Sequence, residues 1–243
     1  ARSVEFYASR LGFNPRHSSA RRAELAVAPG APAILTLSEE SAAPPAPREA
    51  AGLFHAALLL PSRAALGAWL RFAGDRRVEF EGFSDHGVSE ALYFSDPDGN
   101  GLEFYADRPR TQWPFAASGE LAMVTRPLAL PSLLAQAAPA GATPLAGAQW
   151  GHLHLRVTDL ERSEKFYRDT LGVAPTQGSY PGARFLAADG YHHHLGLNTW
   201  GHPRAPQPPA ACGLVAATWT GAGLAAPRQL TDPDGIALQL TNL

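Results

Sequence analysis

The sequence lacks several features that mark common functional classes. Its 243 residues include one cysteine, Cys212, so the chain can form no internal disulfide and fits a reducing compartment. A formal net charge of −2 gives no basic surface for nucleic acid or for an anionic membrane. No apolar run reaches the roughly 18 residues that a membrane-spanning helix needs. We therefore expect a globular cytoplasmic protein, for which a homo-oligomer stays open.

An internal repeat organises the chain. Residues 1–13 (ARSVEFYASRLGF) align with residues 161–173 (ERSEKFYRDTLGV), and both copies place apolar residues at helical spacing before a glycine that stops the helix. The second copy follows a strand-like segment, residues 150–160, in which Asp159 can cap the helix. The first copy has no such strand before it, so we expect its first strand to lie upstream of residue 1.

A second repeat is a hairpin. Residues 231–241 (TDPDGIALQLT) parallel residues 95–105 (SDPDGNGLEFY), and Asp-Gly between alternating segments is a strong turn signal. The region before and around the earlier hairpin predicts one strand, one helix and three further strands, at 53–63, 64–74, 78–83, 91–100 and 101–107.

These repeats predict an α+β fold of four βαβββ modules, at residues 1–40, 51–107, 150–201 and 211–243. The first two modules form residues 1–107 and the last two form residues 150–243, joined by a connector, 108–149, with a short helix near 128–138. Module four is eroded, because only GAGLAAP (221–227) stands where its helix should be. A single module cannot bury both faces of its sheet, whereas two side by side form a cup-shaped half barrel. We expect two such cups; a ferredoxin-like repeat without an internal site is the alternative.

Module two concentrates residue types that bind metal and move protons. His86, Tyr93 and Glu103 surround its Asp-Pro-Asp-Gly turn, and His55 stands on its first strand. The segment 84–105 resembles the signature of extradiol ring-cleaving dioxygenases of the vicinal oxygen chelate superfamily, with Ser84 as the one position outside the usual choices. Each residue alone has an ordinary structural explanation, so the joint placement carries the resemblance.

The resemblance implies a metal site. Two histidines and one carboxylate on one face of an ion are diagnostic of non-haem iron(II) oxygenases, and the matching positions here are His55, Glu103 and His152. Iron(II) is the expected metal, although Mn, Zn or Ni could occupy such a site in a crystal. His154 lies on the same strand face as His152, so it could support that ligand or replace it.

The relatives carry an acid/base histidine in an HHxL pattern. Aligned on Leu195, that residue is His193, within the segment GYHHHLGLNTW (190–200) that we interpret as a strand. On an extended strand, His192 and His194 face away from His193, so only one set can enter a cavity. Which of the three acts stays open.

The distribution of ligands favours a site between modules two and three. Module four has Ala216 and Gln239 where His55 and Glu103 would fall, so we expect it to be structural. Module one offers only Pro32 and Ala33 at the level of the triple histidine. Modules one and four would then form the second cup. The alternative is a third ligand from a histidine upstream of residue 1.

The resemblance implies an extradiol dioxygenase that adds O₂ to a small aromatic diol of the catechol type, an activity of aromatic hydrocarbon catabolism. His193 would act as general base and then general acid, and His86 and Tyr93 would hydrogen-bond an oxygen atom that gains charge. A glyoxalase-like metal-dependent isomerase or lyase is one alternative, but it does not require the last two residues. A binding protein of the bleomycin-resistance type is the other, and it does not require three metal ligands.

Overall fold

The computed structural model describes residues 1–47, 49–139, 141, 143–221 and 227–242. The chain divides into two compact units. Unit one comprises Ala1–Ser41 and His55–His152, and unit two comprises Ala42–Phe54 and Leu153–Leu243. Among the described residues, no helix has the length and apolar character needed to cross a membrane.

The described residues of unit one form α1 (Arg2–Glu5), which continues as a π-helical turn (Phe6–Arg10), β1 (Asn14–Ser18), β2 (Arg22–Ala26), β3 (Ala33–Ser38), β4 (Gly52–Leu59), α2 (Arg63–Asp75), β5 (Gly82–Asp85), β6 (Ser89–Ser95), β7 (Gly101–Asp107), a 3₁₀ turn (Arg110–Gln112), β8 (Arg126–Pro127), α3 (Leu130–Ala135) and β9 (Gln149–Arg156). Strands β1–β2–β3 pair in that order as an antiparallel sheet. The other strands follow the order β9–β4–β7–β6–β5–β8, with β4 parallel to β7. Strand β4 begins in unit two, and strand β9 ends there.

Helix α2 covers the mixed sheet of unit one and confirms the helix predicted at 64–74. Ser62 caps its first turn through the side-chain oxygen. Its apolar face buries Trp69, whose ring lies 4.3 Å from that of Phe104 on β7. The Trp69 indole N–H also donates to the carbonyl of Leu11 at 3.0 Å, which fixes the first module against the second. The predicted helix near 128–138 is present but shorter, as α3.

The strand predicted at 78–83 is wrong for its first four residues, since β5 begins at Gly82. The physical reason lies at the end of α2. The backbone N–H of Val78 donates to the carbonyl of Ala73 at 3.0 Å, so the chain still completes the helix terminus where the alternating pattern predicted a strand.

Unit two repeats the same plan with α4 (Leu160–Leu171), β10 (Ala174–Gln177), β11 (Ala183–Ala187), β12 (Leu195–Asn198), β13 (Ala216–Gly221), β14 (Arg228–Thr231) and β15 (Ala237–Asn242). Its strands follow the orders β10–β11–β12–β9 and β13–β15–β14. The α4 helix is capped by Asp159 and ends at Gly172 in the left-handed region, φ 68°, as the sequence predicted. The segment expected to replace the helix of module four lies, between residues 222 and 226, outside the described residues.

The strand interpretation of residues 190–200 is wrong for the triple histidine. Strand β12 begins only at Leu195, so His192 and His193 lie in the preceding loop. Both side chains are buried, and their Nδ1 atoms are 2.7 Å apart. The alternation that placed these residues on opposite faces therefore does not apply, because it requires an extended strand.

The repeated sequence produces a repeated contact in the two units. In unit one, the hydroxyl of Tyr7 lies 3.1 Å from Asp96, the first residue of the Asp-Pro-Asp-Gly turn. In unit two, the hydroxyl of Tyr167 donates to Asp232 at 2.8 Å in the matching turn. Each aspartate also accepts two backbone N–H groups of its own turn. The same hydrogen bond between a helical tyrosine and the turn aspartate thus occurs in both units.

Candidate metal centre

Three buried side chains of unit one converge on one point. The Nε2 atom of His55 lies 2.9 Å from Oε2 of Glu103, and Nε2 of His152 lies 3.1 Å from the same oxygen. One ligand-type atom of each residue lies within 4.8 Å of the others, and all three side chains are buried. The structure therefore brings together the three residues that the resemblance implied as ligands.

Strand pairing brings these residues together from distant parts of the chain. In the parallel pair β4–β7, Ala57 lies opposite Glu103. His55 is two residues before Ala57, so the alternation of a strand points it to the same face as the carboxylate. Strand β4 lies between β7 and β9, and β9 supplies His152. Residues 55, 103 and 152 thus meet only because three strands are neighbours.

Electrostatics keep the carboxylate ionised. Burial of Glu103 opposes its ionisation, but the His152 and His55 imidazoles beside it outweigh that effect and hold the pKa of the carboxyl well below its usual range. A buried anion that faces two imidazoles is a donor set suited to a divalent cation.

The spacing between the carboxylate and each imidazole also fits ligands of one ion. Two donor atoms bound to the same ion by bonds of about 2.1 Å at right angles would lie about 3.0 Å apart. The two nitrogen–oxygen distances, 2.9 and 3.1 Å, match that value. Two imidazoles and a carboxylate are the donor set typical of non-haem iron(II) sites. The residues present fit a divalent metal.

A second pair, His86 and Tyr93, lies beside this centre. The Nδ1 atom of His86 is 2.7 Å from the carbonyl oxygen of Val124, which can only accept, so Nδ1 carries the proton. Nε2 is 2.8 Å from the hydroxyl of Tyr93, which donates to it when the ring is neutral. In the β6–β7 hairpin Tyr93 stands opposite Glu103, and its ring is 5.5 Å from that of His55. The turn between the strands therefore sets this pair next to the candidate ligands.

Comparisons with known proteins agree with this geometry. The sequence pattern of the glyoxalase/bleomycin resistance protein/dioxygenase superfamily matches residues 1–104 and 149–227. The chain belongs to this superfamily. It is 43% identical over 218 residues to the catechol-2,3-dioxygenase of Bacillus subtilis strain 168, across 88% of this chain and 75% of that relative.

Solved structures share the fold of this superfamily member. A candidate dioxygenase from Bacillus subtilis subsp. subtilis strain 168 gives a TM-score of 0.61 at 12% identity, over 99% of this chain and 80% of that chain. Glyoxalase I from Zea mays gives a TM-score of 0.55 at 17% identity, over 99% and 87% of the two chains. At such low identity these likenesses establish the fold alone.

The triple histidine of this superfamily member lies in unit two. The Nδ1 atom of His193 contacts that of His192, and the His193 ring is 5.0 Å from the ring of Phe185. The Nδ1 atom of His194 accepts the backbone N–H of Ala188 at 3.3 Å.

His154 packs among aromatic rings. Its ring is 5.1 Å from that of Phe54 and 5.4 Å from that of Trp200, in unit two. A side chain at Gly196 would collide with it, because a Cβ there would lie 2.8 Å from the His154 ring. Within the described parts of the chain, the group of residues able to hold a metal does not include His154.

Module four has no equivalent centre at the matching positions. Its strands β13 and β15 are parallel, as β4 and β7 are, with Ala216 opposite Ala237 and Thr218 opposite Gln239. This register makes Ala216 the counterpart of His55 and Gln239 the counterpart of Glu103. Neither side chain can complete a triad of two imidazoles and one carboxylate.

The sequence interpretation missed two residues at the centre, Tyr105 and Gly151. The Tyr105 ring lies 4.9 Å from that of His152, and Gly151 precedes that histidine on β9. A glycine inside an otherwise alternating strand was the available signal, because such a glycine often marks a close approach by another group.

Proposed function

We propose that this chain is an extradiol ring-cleaving dioxygenase, which adds O₂ to a catechol-type aromatic diol at a single iron(II) ion. His55, Glu103 and His152 would hold the ion. The observation that carries this proposal is the buried convergence of two imidazoles and one carboxylate at distances that suit cis ligands. The 43% identity to a catechol-2,3-dioxygenase supports the same reaction class.

Bound iron(II) would supply open positions for the diol oxygens and O₂ and would lower the pKa of a bound hydroxyl. The protein contributes the rest. Glu103 neutralises one of the two positive charges, while the two imidazoles add none. Burial of all three ligands excludes water from competing with them and strengthens their electrostatic interactions.

His86 and Tyr93 would stabilise negative charge that develops on a substrate oxygen beside the centre. The carbonyl of Val124 fixes the His86 ring by accepting from Nδ1. When both ring nitrogens carry protons, Nε2 donates to the Tyr93 hydroxyl, which can then donate its own proton to the substrate oxygen. A donor that needs no rearrangement during the reaction stabilises a transition state more than a mobile one does. Neither residue is a candidate ligand of the ion.

His193 would take a proton from the bound diol and return it later in the reaction. Its Nδ1 contact with His192 at 2.7 Å requires one of the two atoms to carry a proton and the other to accept it. That contact restricts the orientation of the His193 ring, as a general base requires.

We further propose that modules two and three share one half barrel, and that modules one and four form the second. The domain limits 1–107 and 150–243 belong to the same proposal. It is supported by the position of His152, which opens module three yet contacts Glu103 of module two.

The experiment is oxygen consumption by protein loaded with iron(II) without air and then given catechol. We expect consumption of O₂ and a yellow ring-cleavage product. Metal analysis of the same sample separates this function from a metal-free binding protein. A loaded protein that consumes no O₂ with any of a panel of substituted catechols would contradict the proposal and would favour an isomerase of the same superfamily.

A further inference from the structure

Tyr105 is placed to control one of the candidate ligands without being a ligand. It follows Glu103 by two residues on β7, and its side chain is fully buried, with 0% exposure. Its ring lies 4.9 Å from the His152 ring, tilted by 52°. The imidazole therefore has a rigid aromatic neighbour on one side and the Glu103 carboxylate at 3.1 Å on the other.

Gly151 is the feature that allows this arrangement. A Cβ atom at residue 151 would lie 1.8 Å from the Tyr105 hydroxyl oxygen and 2.8 Å from Cζ of the same ring. Gly151 is not among the glycines with a positive φ, so backbone conformation does not require glycine here. The close approach of Tyr105 is what requires glycine here. Glycine weakens a strand interior, so its presence next to a candidate ligand lowers the stability of the strand.

The contact spans three strands. Tyr105 pairs with Leu59 on β4, and β9 lies on the far side of β4. Neighbouring strands are about 4.8 Å apart, so β7 and β9 are separated by roughly 10 Å. The Tyr105 side chain crosses that gap, and its hydroxyl reaches the backbone directly before His152. A shorter side chain would not fill this space.

The two candidate imidazoles have matching neighbours. Tyr93 lies against His55 with ring centroids 5.5 Å apart, and Tyr105 lies against His152. Each tyrosine restricts the rotation of one imidazole and thereby the direction of its Nε2 atom. Outer partners of metal ligands typically change metal affinity by about 10–100-fold when they are removed.

We propose that Tyr105 is a positioning residue that acts through His152, and that Gly151 is the space that receives its hydroxyl end. The inference rests on the metal site of the proposed function. It adds that the affinity of this site depends on a residue pair outside the triad, so that enlarging residue 151 weakens metal binding through Tyr105.

The test is titration of the metal-free protein with Co(II), which reports affinity and, through its visible spectrum, ligand geometry. Tyr105→Leu and Gly151→Ala should each weaken binding by about 10–100-fold and alter the spectrum. Tyr105→Phe keeps the ring, so its affinity should stay close to that of the unchanged protein. In the double variant of Tyr105→Leu and Gly151→Ala, the alanine should add less loss than it causes alone, because the Tyr105 ring is gone and the remaining close neighbour is Leu59 Cβ at 3.1 Å.

Phe104→Leu is the matched control. Phe104 is the neighbour of Tyr105 on β7, is equally buried and packs on Trp69 on the other face of the strand. Its replacement should lower the temperature of unfolding without changing Co(II) affinity. The proposal is overturned if Tyr105→Leu binds Co(II) as tightly as the unchanged protein, or if Phe104→Leu loses as much affinity. Co(II) affinity and the visible spectrum do not depend on turnover, so both remain valid tests even if catechol is not the substrate.

Discussion

At the scale of single residues, the candidate site depends on a buried carboxylate between two imidazoles. Glu103 is 2% exposed, and His152 and His55 keep it ionised against the effect of burial. Such a group is costly to bury unless it is paired or binds a metal. The three ligands are therefore best understood as one unit in which the loss of any member removes the metal.

Glu103→Gln should remove the metal and the activity together, because the amide has nearly the same shape but no charge to offset that of the ion. Metal content after anaerobic loading with iron(II) measures the first effect, and excess iron(II) in the assay should restore part of the second. Gln239→Glu is the control. It places a carboxylate at the matching position of module four, where Ala216 offers no imidazole, so it should bind no additional metal. Full iron content in Glu103→Gln would refute the assigned triad.

His193→Ala should keep the metal and lose most turnover with catechol. A positioned acid/base group typically contributes about 10²–10⁴-fold to the rate. His17→Ala, which changes an exposed histidine on β1, should leave both metal content and turnover unchanged. If His193→Ala instead loses the metal, the loop of the triple histidine contains a ligand and the triad is wrong.

His86→Ala and Tyr93→Phe test the hydrogen-bonding pair. Both variants should retain iron, because neither removes a candidate ligand and Tyr93→Phe keeps the ring beside His55. Both should lower kcat more than they raise KM. Loss of one preorganised donor typically costs about 10²–10³-fold in rate. Unchanged kcat in both variants would remove this pair from the reaction and reopen the glyoxalase-like alternative.

The sequence predicted the candidate ligands because their spacing in module two follows a known signature, and because His152 repeats the place of His55. It could not predict Tyr105 or Gly151. Their contact depends on β9, β4 and β7 being neighbours, and no local pattern encodes which strands are adjacent. The same limit applies to His86, whose tautomer is set by the distant carbonyl of Val124.

At the scale of elements, a tyrosine of one helical segment is hydrogen-bonded to the repeated Asp-Pro-Asp-Gly turn in each unit. Burial, together with the charge of Asp96, raises the pKa of Tyr7 well above its usual value, and burial and Asp232 do the same for Tyr167. Each hydroxyl therefore stays protonated and can donate to the aspartate of the turn. The helix and the turn are joined by this bond rather than by sequence proximity.

Tyr7→Phe and Tyr167→Phe should each lower the free energy of unfolding by about 1.5–3 kcal/mol, the range for a hydrogen bond to a charged group. The pH dependence follows from the raised pKa values. An unfolded tyrosine ionises near pH 10, whereas the folded groups hold their protons longer, so stability falls as the pH rises above about 10. Each phenylalanine variant should show a shallower fall. Denaturation curves between pH 8 and pH 11 measure both effects, and identical slopes would contradict the assignment.

Helices and hairpins were predictable where local signals agree, as with Asp159 and Gly172 at the two ends of α4. The predicted strand limits were wrong where the backbone is hydrogen-bonded to another element, as at Val78, whose N–H donates to Ala73 at the end of α2. The strand predicted at the triple histidine was wrong for a related reason. Its side chains contact one another and the loop backbone, so these residues do not alternate between two faces as strand residues do.

At the scale of the whole molecule, the four repeated regions proposed from the sequence differ at matching positions. Module two has His55 and Glu103, module three begins near His152, and module four has Ala216 and Gln239 instead of the two ligand types. The α+β class and the repeat were predictable, because modules one and three share a helix signal and modules two and four share a turn signal. Which modules cooperate depends on the tertiary arrangement, and the sequence indicated it through His152 and the triple histidine of module three.

The most direct test of the central claim is the fate of the oxygen atoms. Iron-loaded protein is given catechol under ¹⁸O₂, and the product is reduced at once with borohydride so that its aldehyde cannot exchange oxygen with water. We expect mass spectrometry to find both labelled atoms in one ring-opened product, and none in the product fraction from Glu103→Gln treated alike. A product with one labelled atom or none, or equal labelling by the variant, would contradict an extradiol dioxygenase that acts at His55, Glu103 and His152.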